Sequence, residues 1–299
     1  MANAVELTIE QAWFLADLLG AGSLPWVLAI TPPYDEPSAR VAFEAEKRVE
    51  LLRMGVLAEG DAVEPGAVDP LVARCVTATC RARRWLELRF VAGCGAMLRG
   101  QVARRDGGVV VALRSGQLVT FTEMDVEHPH ALVPVLTAGL SRRSPARFAE
   151  FAIPARIGAK ADDRLRNGDS LDDVIDYLGL PSAARDVVAA AFSAERTYVE
   201  IVAGDHRDGH RVSTEVGVSV VDTVAGRILV SPSRAFDDEW VSTFTAGTPL
   251  AIATAVERLT AALPDGPWFP RVHLTRDFDQ RRDEQPCLTP ARPRQPATR

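Results

Sequence analysis

The sequence predicts an α+β fold built as a quasi-two-fold repeat of two halves, each a helical part followed by an antiparallel sheet. An internal repeat carries this prediction, because residues 69–93 recur as residues 180–204, an offset of 111 residues without a gap. The matches are Ala73 with Ala184, Arg74 with Arg185, Val76 with Val187, Ala78 with Ala189, and Val91-Ala92-Gly93 with Val202-Ala203-Gly204. Each copy has a proline where a helix would begin and a glycine where a strand would end.

The repeat also predicts how the chain is divided. Residues 1–140 form the N-terminal half, and residues 141–276 form a C-terminal half with more helix. Residues 277–299 are charged and rich in proline with almost nothing to bury, which predicts a disordered tail. The two halves are expected to share one core and form one domain.

Three segments precede the first copy of the repeat. Thr8 and Gln11 form a capping box, which predicts that a helix begins there. Residues 25–30 are mostly apolar and predict a buried strand. A second helix is predicted over residues 37–55, and residues 56–69, rich in glycine, proline and acid, predict a loop.

The first sheet is predicted as a meander of four strands. These are residues 85–91, 97–104, 109–114 and 118–122. Asp106-Gly107-Gly108 and Ser115-Gly116 supply the turns, so the neighbouring strands are antiparallel. Residues 128–140 predict a helix or a helical turn whose middle is disturbed by Pro134.

The second half begins with helices and ends with a sheet and a helix. Ser170 is predicted to cap a helix that ends at Gly179. The predicted strands are residues 198–203, 211–221 and 227–233, with an added edge strand at residues 240–244. Thr248 and Pro249 then begin a strongly amphipathic helix.

Composition excludes several classes of protein. The 34 basic and 40 acidic residues give a net charge of −6 and a pI near 5.5, which argues against nucleic acid as a partner. Neither a secretory leader nor an apolar run long enough for membrane insertion is visible, so a cytoplasmic location is expected. The four cysteines lack zinc-ligand spacing, and neither a metal nor another cofactor is predicted.

The motif search predicts no catalytic residue. Residues 205–210 hold two histidines and two carboxylates, but Asp208-Gly209 falls where a hairpin must turn, so an exposed turn is favoured over a metal site. Cys94 lies next to glycines without a base placed beside it. The sequence also lacks the common hydrolase, metalloprotease and nucleotide-binding motifs in their required context. An enzyme is therefore the weaker interpretation.

One predicted strand has an informative alternation. In residues 211–220, valines 212, 216, 218 and 220 share one face, and Ser213, Glu215, Gly217 and Ser219 share the other. This pattern predicts a sheet with one packed face and one accessible face. An accessible face with short polar side chains is either simply solvated or a docking platform, because short side chains let a partner approach closely.

Three long strings resemble one known family. They are ELTIEQAWFLADLLGAGSLPWVLAITPPY, LVTFTEMDVEHPHALVPVLTAGLSRRSPARF and TYVEIVAGDHRDGHRVSTEVGVSVVDTVAGRILVSP. They are similar to the EspG family, the cytosolic chaperones of mycobacterial type VII (ESX) secretion systems, and closest to the members that serve the third system. The resemblance runs from about Val5 to Asp279 and leaves out the tail.

The resemblance implies a quasi-two-fold EspG-like domain that binds a PE–PPE heterodimer at the apolar tip of the PPE subunit. It implies that this chaperone keeps the heterodimer soluble and directs it to its own secretion machinery without catalysis. In the family, the partner is held by the loop between the second and third strands, here within residues 92–108, and by the C-terminal half. The residues expected to bind it are Arg104, Arg105, Asp106, Ser213, Glu215, Gly217, Ser231, Ser233 and Phe236.

Two other functions stay open at this point. One is a binder of a small apolar ligand, and the other is an enzyme of unrecognised mechanism. A large enclosed pocket would favour either of these, whereas a flat or grooved sheet face would favour the chaperone. A weak homodimer of the free protein is also left open.

Overall fold

A computed structural model describes residues 3–58, 64–92, 97–180, 182–193, 195–207, 210–266 and 268–269. The tail predicted at residues 277–299 lies outside the described residues, as does Cys94. The two predicted halves meet in one continuous sheet. The boundary between them at residue 140 stays a prediction.

Eleven strands form that sheet, and all pairings between them are antiparallel. They are β1 Ala4–Thr8, β2 Arg84–Val91, β3 Leu98–Arg105, β4 Gly108–Ser115, β5 Leu118–Met124, β6 Phe151–Pro154, β7 Thr197–Arg207, β8 His210–Ser213, β9 Val218–Thr223, β10 Gly226–Arg234 and β11 Trp240–Ala246. The order across the sheet is β1-β5-β4-β3-β2-β7-β9-β10-β11-β6, and β8 pairs with the end of β7.

Eight α-helices accompany the sheet in the described part of the chain. They are α1 Ile9–Leu18, α2 Arg40–Arg53, α3 Pro70–Cys80, α4 Val133–Leu136, α5 Ala155–Arg166, α6 Leu171–Leu178, α7 Ser182–Phe192 and α8 Pro249–Ala261. Short 3-10 helices occur at Trp26–Leu28, Pro37–Ala39, Pro65–Ala67 and Pro129–Leu132.

The predicted helix caps are confirmed. The Gln11 amide N–H donates to Thr8 Oγ1 at 3.1 Å, and the Thr8 N–H donates to Gln11 Oε1 at 2.9 Å, which is a complete capping box. The hydroxyls of Ser170 and Thr248 each accept a backbone N–H at the start of α6 and α8. Gly179 ends α6 in the left-handed conformation that favours glycine.

Both copies of the repeat form a helix followed by a strand, and these two strands are neighbours. α3 leads into β2, α7 leads into β7, and β2 pairs with β7 in the middle of the sheet. In this register Arg89 lies opposite Glu200, and Glu200 is the residue that corresponds to Arg89 in the second copy of the repeat, 111 residues later. The first half therefore extends outward from β2 and the second half from β7.

Helices cover the two faces of the sheet differently. On one face α4 and α8 pack across the central strands and form a single core that draws on both halves. On the opposite face α1, α2 and α3 pack on the outer strands of the first half. On that same face α6 and α7 pack on the outer strands of the second half, with α5 beside them. In the described part of the chain, the middle of this second face is left without a helix.

Residues 25–30 correct one prediction, because they form a 3-10 turn and not a buried strand. Ala29 adopts a left-handed conformation with φ of 48°, which reverses the chain. Val27 and Leu28 are buried, but Trp26 is 83% exposed. A short apolar run between prolines has no periodicity that separates a strand from a turn.

The predicted strand 211–221 is also corrected, since it is two strands separated by a bulge. Gly204 pairs with Ser213 and Ile201 with Val218, so residues 214–217 face only two residues of β7. A Cβ on Gly217 would lie 2.9 Å from the Ile201 carbonyl oxygen, which explains the glycine at this close approach.

The sheet edges and one helix also differ from prediction. β1 and β6 were not predicted, and because β6 pairs outside β11, the strand predicted at residues 240–244 exists but is not an edge. The helix predicted over residues 128–140 is a 3-10 turn followed by the four-residue α4. Pro134 lies in the first turn of α4, where a proline is tolerated.

A buried lysine joins α1 to α2. Lys47 is 4% exposed, and its Nζ lies 2.7 Å from Glu10, 3.2 Å from Glu46 and 2.9 Å from Glu50. Gln11, the capping-box residue, also donates to Glu50 at 3.0 Å. Burial opposes the charge on Lys47, but the hydrogen bonds that its ammonium group donates to the three carboxylates outweigh this effect and raise the lysine pKa. The bond from Lys47 in turn lowers the pKa of Glu50.

We expect Lys47→Met to lower the free energy of unfolding by about 2 kcal/mol at pH 7, because three carboxylates lose their cation. Because the pKa of Glu50 is lowered on folding, its contribution is present at neutral pH and is lost as pH falls through the folded pKa, below 4.5. The deficit of the variant should therefore shrink at low pH. Urea unfolding at pH 7 and at pH 3.5 measures it.

Lys160→Met is the matched control, because Lys160 is exposed and its loss should change stability by less than about 0.5 kcal/mol. An equal deficit of the Lys47 variant at both pH values would mean that the lysine stem stabilises the helices by packing and not by charge.

Candidate functional site

The middle of the second sheet face is an open surface, which we call the central face. It comprises the side of β3, β2, β7, β8 and β9 that lies between the α1–α3 helices and the α5–α7 helices. On β2 and β7 the residues that alternate with the buried core are Glu87, Arg89, Glu200 and Val202. The Arg89 side chain is 54% exposed, and Glu200 is also exposed.

An aromatic residue forms the floor of the central face at one end. Trp85 is 1% exposed, and its ring lies against Gly204, where an added Cβ would come within 2.4 Å of it. The Arg211 guanidinium carbon lies 4.3 Å from the Trp85 ring centroid and covers it from the solvent side. Arg211 also pairs with Glu87 at 3.3 Å, so the indole is shielded by an ion pair and not by a helix.

A row of charged residues crosses the central face. The strand registers place Arg114 opposite Arg99, Arg99 opposite Arg89, and Arg89 opposite Glu200. Glu200 in turn lies opposite Ser219. Because neighbouring strands are about 4.8 Å apart, three arginines lie side by side on one face of the sheet.

The central face continues into a groove of about 640 Å³ between the sheet and α5, α6 and α7. Glu200 and Ser219 belong both to the central face and to this groove. Apolar lining residues are Ile153, Leu165, Leu178, Phe192, Val221, Val230 and Phe244. Arg196 also lines the groove, with its guanidinium carbon 5.7 Å from the Phe192 ring centroid and 5.2 Å from that of Tyr198. The groove is open to solvent on one side.

Three residues predicted to bind a partner lie on the central face. Ser213 ends β8, Glu215 lies in the bulge and Gly217 precedes β9, and all three are exposed. Val218 and Val220 are fully buried in the core on the other side. The predicted packed face is therefore confirmed for Val218 and Val220 only, because Val212 and Val216, before and within the bulge, are half-buried and lie outside the core.

Three other predicted residues lie at the end of the sheet where β3 turns into β4. The Arg104 guanidinium donates to the Trp268 carbonyl, and burial lowers its pKa, with Arg84 lowering it further. Arg105 pairs with Asp106 at 3.0 Å, and Asp106 has the positive φ of a tight turn. Arg104 is thus engaged within the chain, while Asp106 is exposed.

The last three predicted residues lie on β10 and its hairpin. Ser231 and Ser233 alternate with Val230 and belong to the face that carries α8, and Ser233 hydrogen-bonds Thr243 at 2.9 Å. Phe236 is fully exposed beyond the end of β10. The structure therefore brings Ser213, Glu215 and Gly217 together on the central face and places the other six predicted residues elsewhere.

The histidine-rich segment shows structural contacts. The His206 ring meets Trp85 edge-on at 5.3 Å between centroids, and His210 begins β8. Residues 208–209 lie outside the described residues. Among the residues that the structure describes, no group of three histidine, cysteine or carboxylate side chains could hold a metal ion. Within the same residues, no helix has the length and apolarity to cross a membrane.

Sequence reasoning missed the arginine row and the exposed Trp26. Part of the signal was present, because Glu87 and Arg89 alternate with leucines in β2 and predict a polar face. The side-by-side placement of Arg89, Arg99 and Arg114 depends on the register of three strands, which no local pattern contains.

Comparison with known proteins agrees with this architecture. The EspG family profile matches residues 8–258. The chain is 64% identical over 278 residues to the ESX-3 secretion-associated protein EspG3 of Mycolicibacterium smegmatis, covering 93% of each chain. It is 55% identical over 290 residues to EspG3 of Mycobacterium tuberculosis, covering 92% of this chain and 97% of that protein.

A solved structure has the same fold. It is the M. tuberculosis type VII secretion system chaperone EspG5 in complex with a PE25–PPE41 dimer. The TM-score is 0.71 at 18% identity, and the match covers 89% of this chain and 98% of EspG5. The family match over residues 8–258 and the identity to the two EspG3 proteins show that the chain belongs to the EspG family.

Proposed function

We propose that this protein is a chaperone that binds a PE–PPE heterodimer, keeps it soluble and directs it to the ESX-3 secretion machinery. Its EspG3 relatives are ESX-3 secretion-associated proteins, and EspG5 was solved in complex with a PE–PPE dimer. The observation that carries the proposal is the open groove beneath α5–α7, whose lining combines apolar side chains with polar and charged ones and continues into a charged face. This role places the protein in the cytoplasm, where the substrate would be held before export.

We infer that the apolar tip of the PPE subunit enters this groove. An exposed apolar tip on a secreted protein favours aggregation, and a partner that covers it lowers the free concentration of the hazardous species by mass action. The apolar lining, including Phe244 and Val230, would supply affinity. Charged residues beside it, including Glu215 and Glu200, would supply selectivity among similar substrates.

The groove favours this function over the two alternatives. It is open along one side, whereas a small apolar ligand requires a site that encloses most of its surface. Its lining contains Glu200 as the single carboxylate and no cysteine or histidine among the described residues. The described lining thus lacks the thiol and imidazole groups most often used as nucleophile and base, and we propose binding without catalysis.

We also infer that the two halves are related by an approximate two-fold axis between β2 and β7. At the offset of 111 residues, Leu88 corresponds to Val199 and Phe90 to Ile201. The pair Leu88–Ile201 then corresponds to the pair Phe90–Val199, and all four residues are buried in the same core. Each half also continues as a meander away from the centre of the sheet.

Co-purification tests the proposed function. The tagged chain would be expressed with PE–PPE pairs from the same genome, one pair for each ESX system. We expect a stable 1:1:1 complex with the ESX-3 pair alone. Failure to bind every pair, with the protein folded and monodisperse, would mean that the chain shares the fold and not the function.

Gly158 allows a test of the groove. It lines the groove within α5, and an added Cβ would meet no atom within 4 Å. We expect Gly158→Trp to leave the protein folded but to abolish PE–PPE binding, because the indole occupies the groove. Gly158→Ala is the matched control and should bind normally while gaining about 0.5–1 kcal/mol of stability. Calorimetric titration and thermal melts measure both, and undiminished binding by the tryptophan variant would exclude the groove.

Glu215→Arg tests the central face. Glu215 is exposed in the bulge, so we expect circular dichroism and melting temperature to remain those of the wild type. The reversed charge should weaken the PE–PPE complex by about tenfold, which is 1.4 kcal/mol. Glu257→Arg, on the exposed side of α8, is the control for charge reversal elsewhere. If both variants bind equally well, Glu215 is outside the interface.

A further inference from the structure

Arg99 is in an unusual electrostatic position. It is half-buried on β3, and its cross-strand neighbours on both sides are the arginines Arg89 and Arg114. In the described part of the chain, no carboxylate lies within ion-pair distance of its guanidinium. Its hydrogen bond there is to the Val27 carbonyl, at 3.5 Å. Like charges directly opposite in a sheet are destabilising, so this arrangement costs the free protein stability.

The two flanking arginines are already compensated from within the chain. The Arg114 guanidinium donates to the carbonyls of Leu28, Ala29 and Gly116. Burial lowers the pKa of Arg114, and the charge of Arg99 lowers it further. Arg89 lies 3.7 Å from Glu87, which Arg211 also contacts. Arg99 is therefore the cation of the row that lacks an anionic or well-formed polar partner.

An exposed tryptophan precedes the residue whose carbonyl Arg99 contacts. Trp26 is 83% exposed, and it belongs to the 3-10 turn whose carbonyls bind Arg99 and Arg114. The left-handed Ala29 and these hydrogen bonds fix the backbone of the turn. Tryptophan and arginine are the residues most enriched at binding hot spots, and here one rigid unit presents both.

We propose that Arg99 binds a carboxylate of the PPE subunit while Trp26 packs against an apolar residue next to that carboxylate. The inference rests on the proposed function and adds the chemistry that the partner must present. Arg99 lies two strands from Glu200, where the groove meets the central face, so the carboxylate lies roughly 10 Å across the sheet from the groove. We therefore expect the protein not to bind a PE–PPE pair that lacks an acidic residue at that distance from its apolar tip.

The test uses Arg99→Gln, Arg99→Lys and the control Arg258→Gln, an exposed arginine of α8 on the other side of the sheet. Affinity for the PE–PPE pair that the wild type retains is measured by calorimetric titration at low and high salt. Arg99→Gln should bind at least about tenfold more weakly and show a smaller salt dependence than the wild type, because one charge pair is removed. Arg99→Lys should recover most of the affinity, and Arg258→Gln should match the wild type.

Thermal melts of the free variants give the second readout. Arg99→Gln should melt no lower than the wild type, since a repelled cation is removed. A lower melting temperature would show that Arg99 stabilises the fold, and wild-type affinity of Arg99→Gln would remove it from the interface; either result overturns this inference alone. A wild-type chain that binds no PE–PPE pair overturns the proposed function, and this inference falls with it.

Discussion

The pairing of β2 with β7 is the interaction on which the rest of the structure depends. Eight residue pairs, from Arg84–Asp205 to Val91–Tyr198, join the two halves into one sheet. The register directs Leu88 and Ile201 into the same core, where α8 packs across both halves. A slip by one residue would turn these side chains to solvent and bring charged residues into the core. The register is therefore fixed by burial on one face alone.

The same register determines where the protein can bind a partner. Burying one face of β2 and β7 leaves their alternate residues on the other face. There, among the described residues, α1 and α3 pack on β1, β3, β4 and β5, and α5 and α7 pack on β6, β9 and β11. The buried face is also closed at its end, because Arg84 donates to the carbonyls of Asp265 and Gly266, and Arg104 donates to that of Trp268. One side of the sheet is thus sealed by the C-terminal segment, and the other remains open between two helical layers.

Features with a local cause could be predicted from the sequence. The Thr8 capping box and the hairpin turns follow from residues close together in the chain, and the structure contains the helix and the strand pairs that they predict. The edge strands β1 and β6 could not be predicted from the sequence, because they are short and pair with strands far away along the chain. Glu6, for example, pairs with Thr120. The bulge around Glu215 can be recognised only from the strand pairings on both of its sides, which the sequence does not contain. The alternation of Ser213 and Glu215 predicted the open face, but not the charges that three other strands bring to it.

Two cations show how the chain separates stability from binding. Lys47 is buried with three carboxylates around it, and these compensate its charge in the free protein. Arg99 lies between two arginines, although the chain has 40 acidic residues against 34 basic ones and is not short of carboxylates. Within the described residues, the chain surrounds Lys47 with carboxylates but gives Arg99 only a long hydrogen bond to the Val27 carbonyl, and such a local exception is expected of a functional surface. Under the proposed function, Arg99 obtains its acidic partner only when the PE–PPE substrate binds.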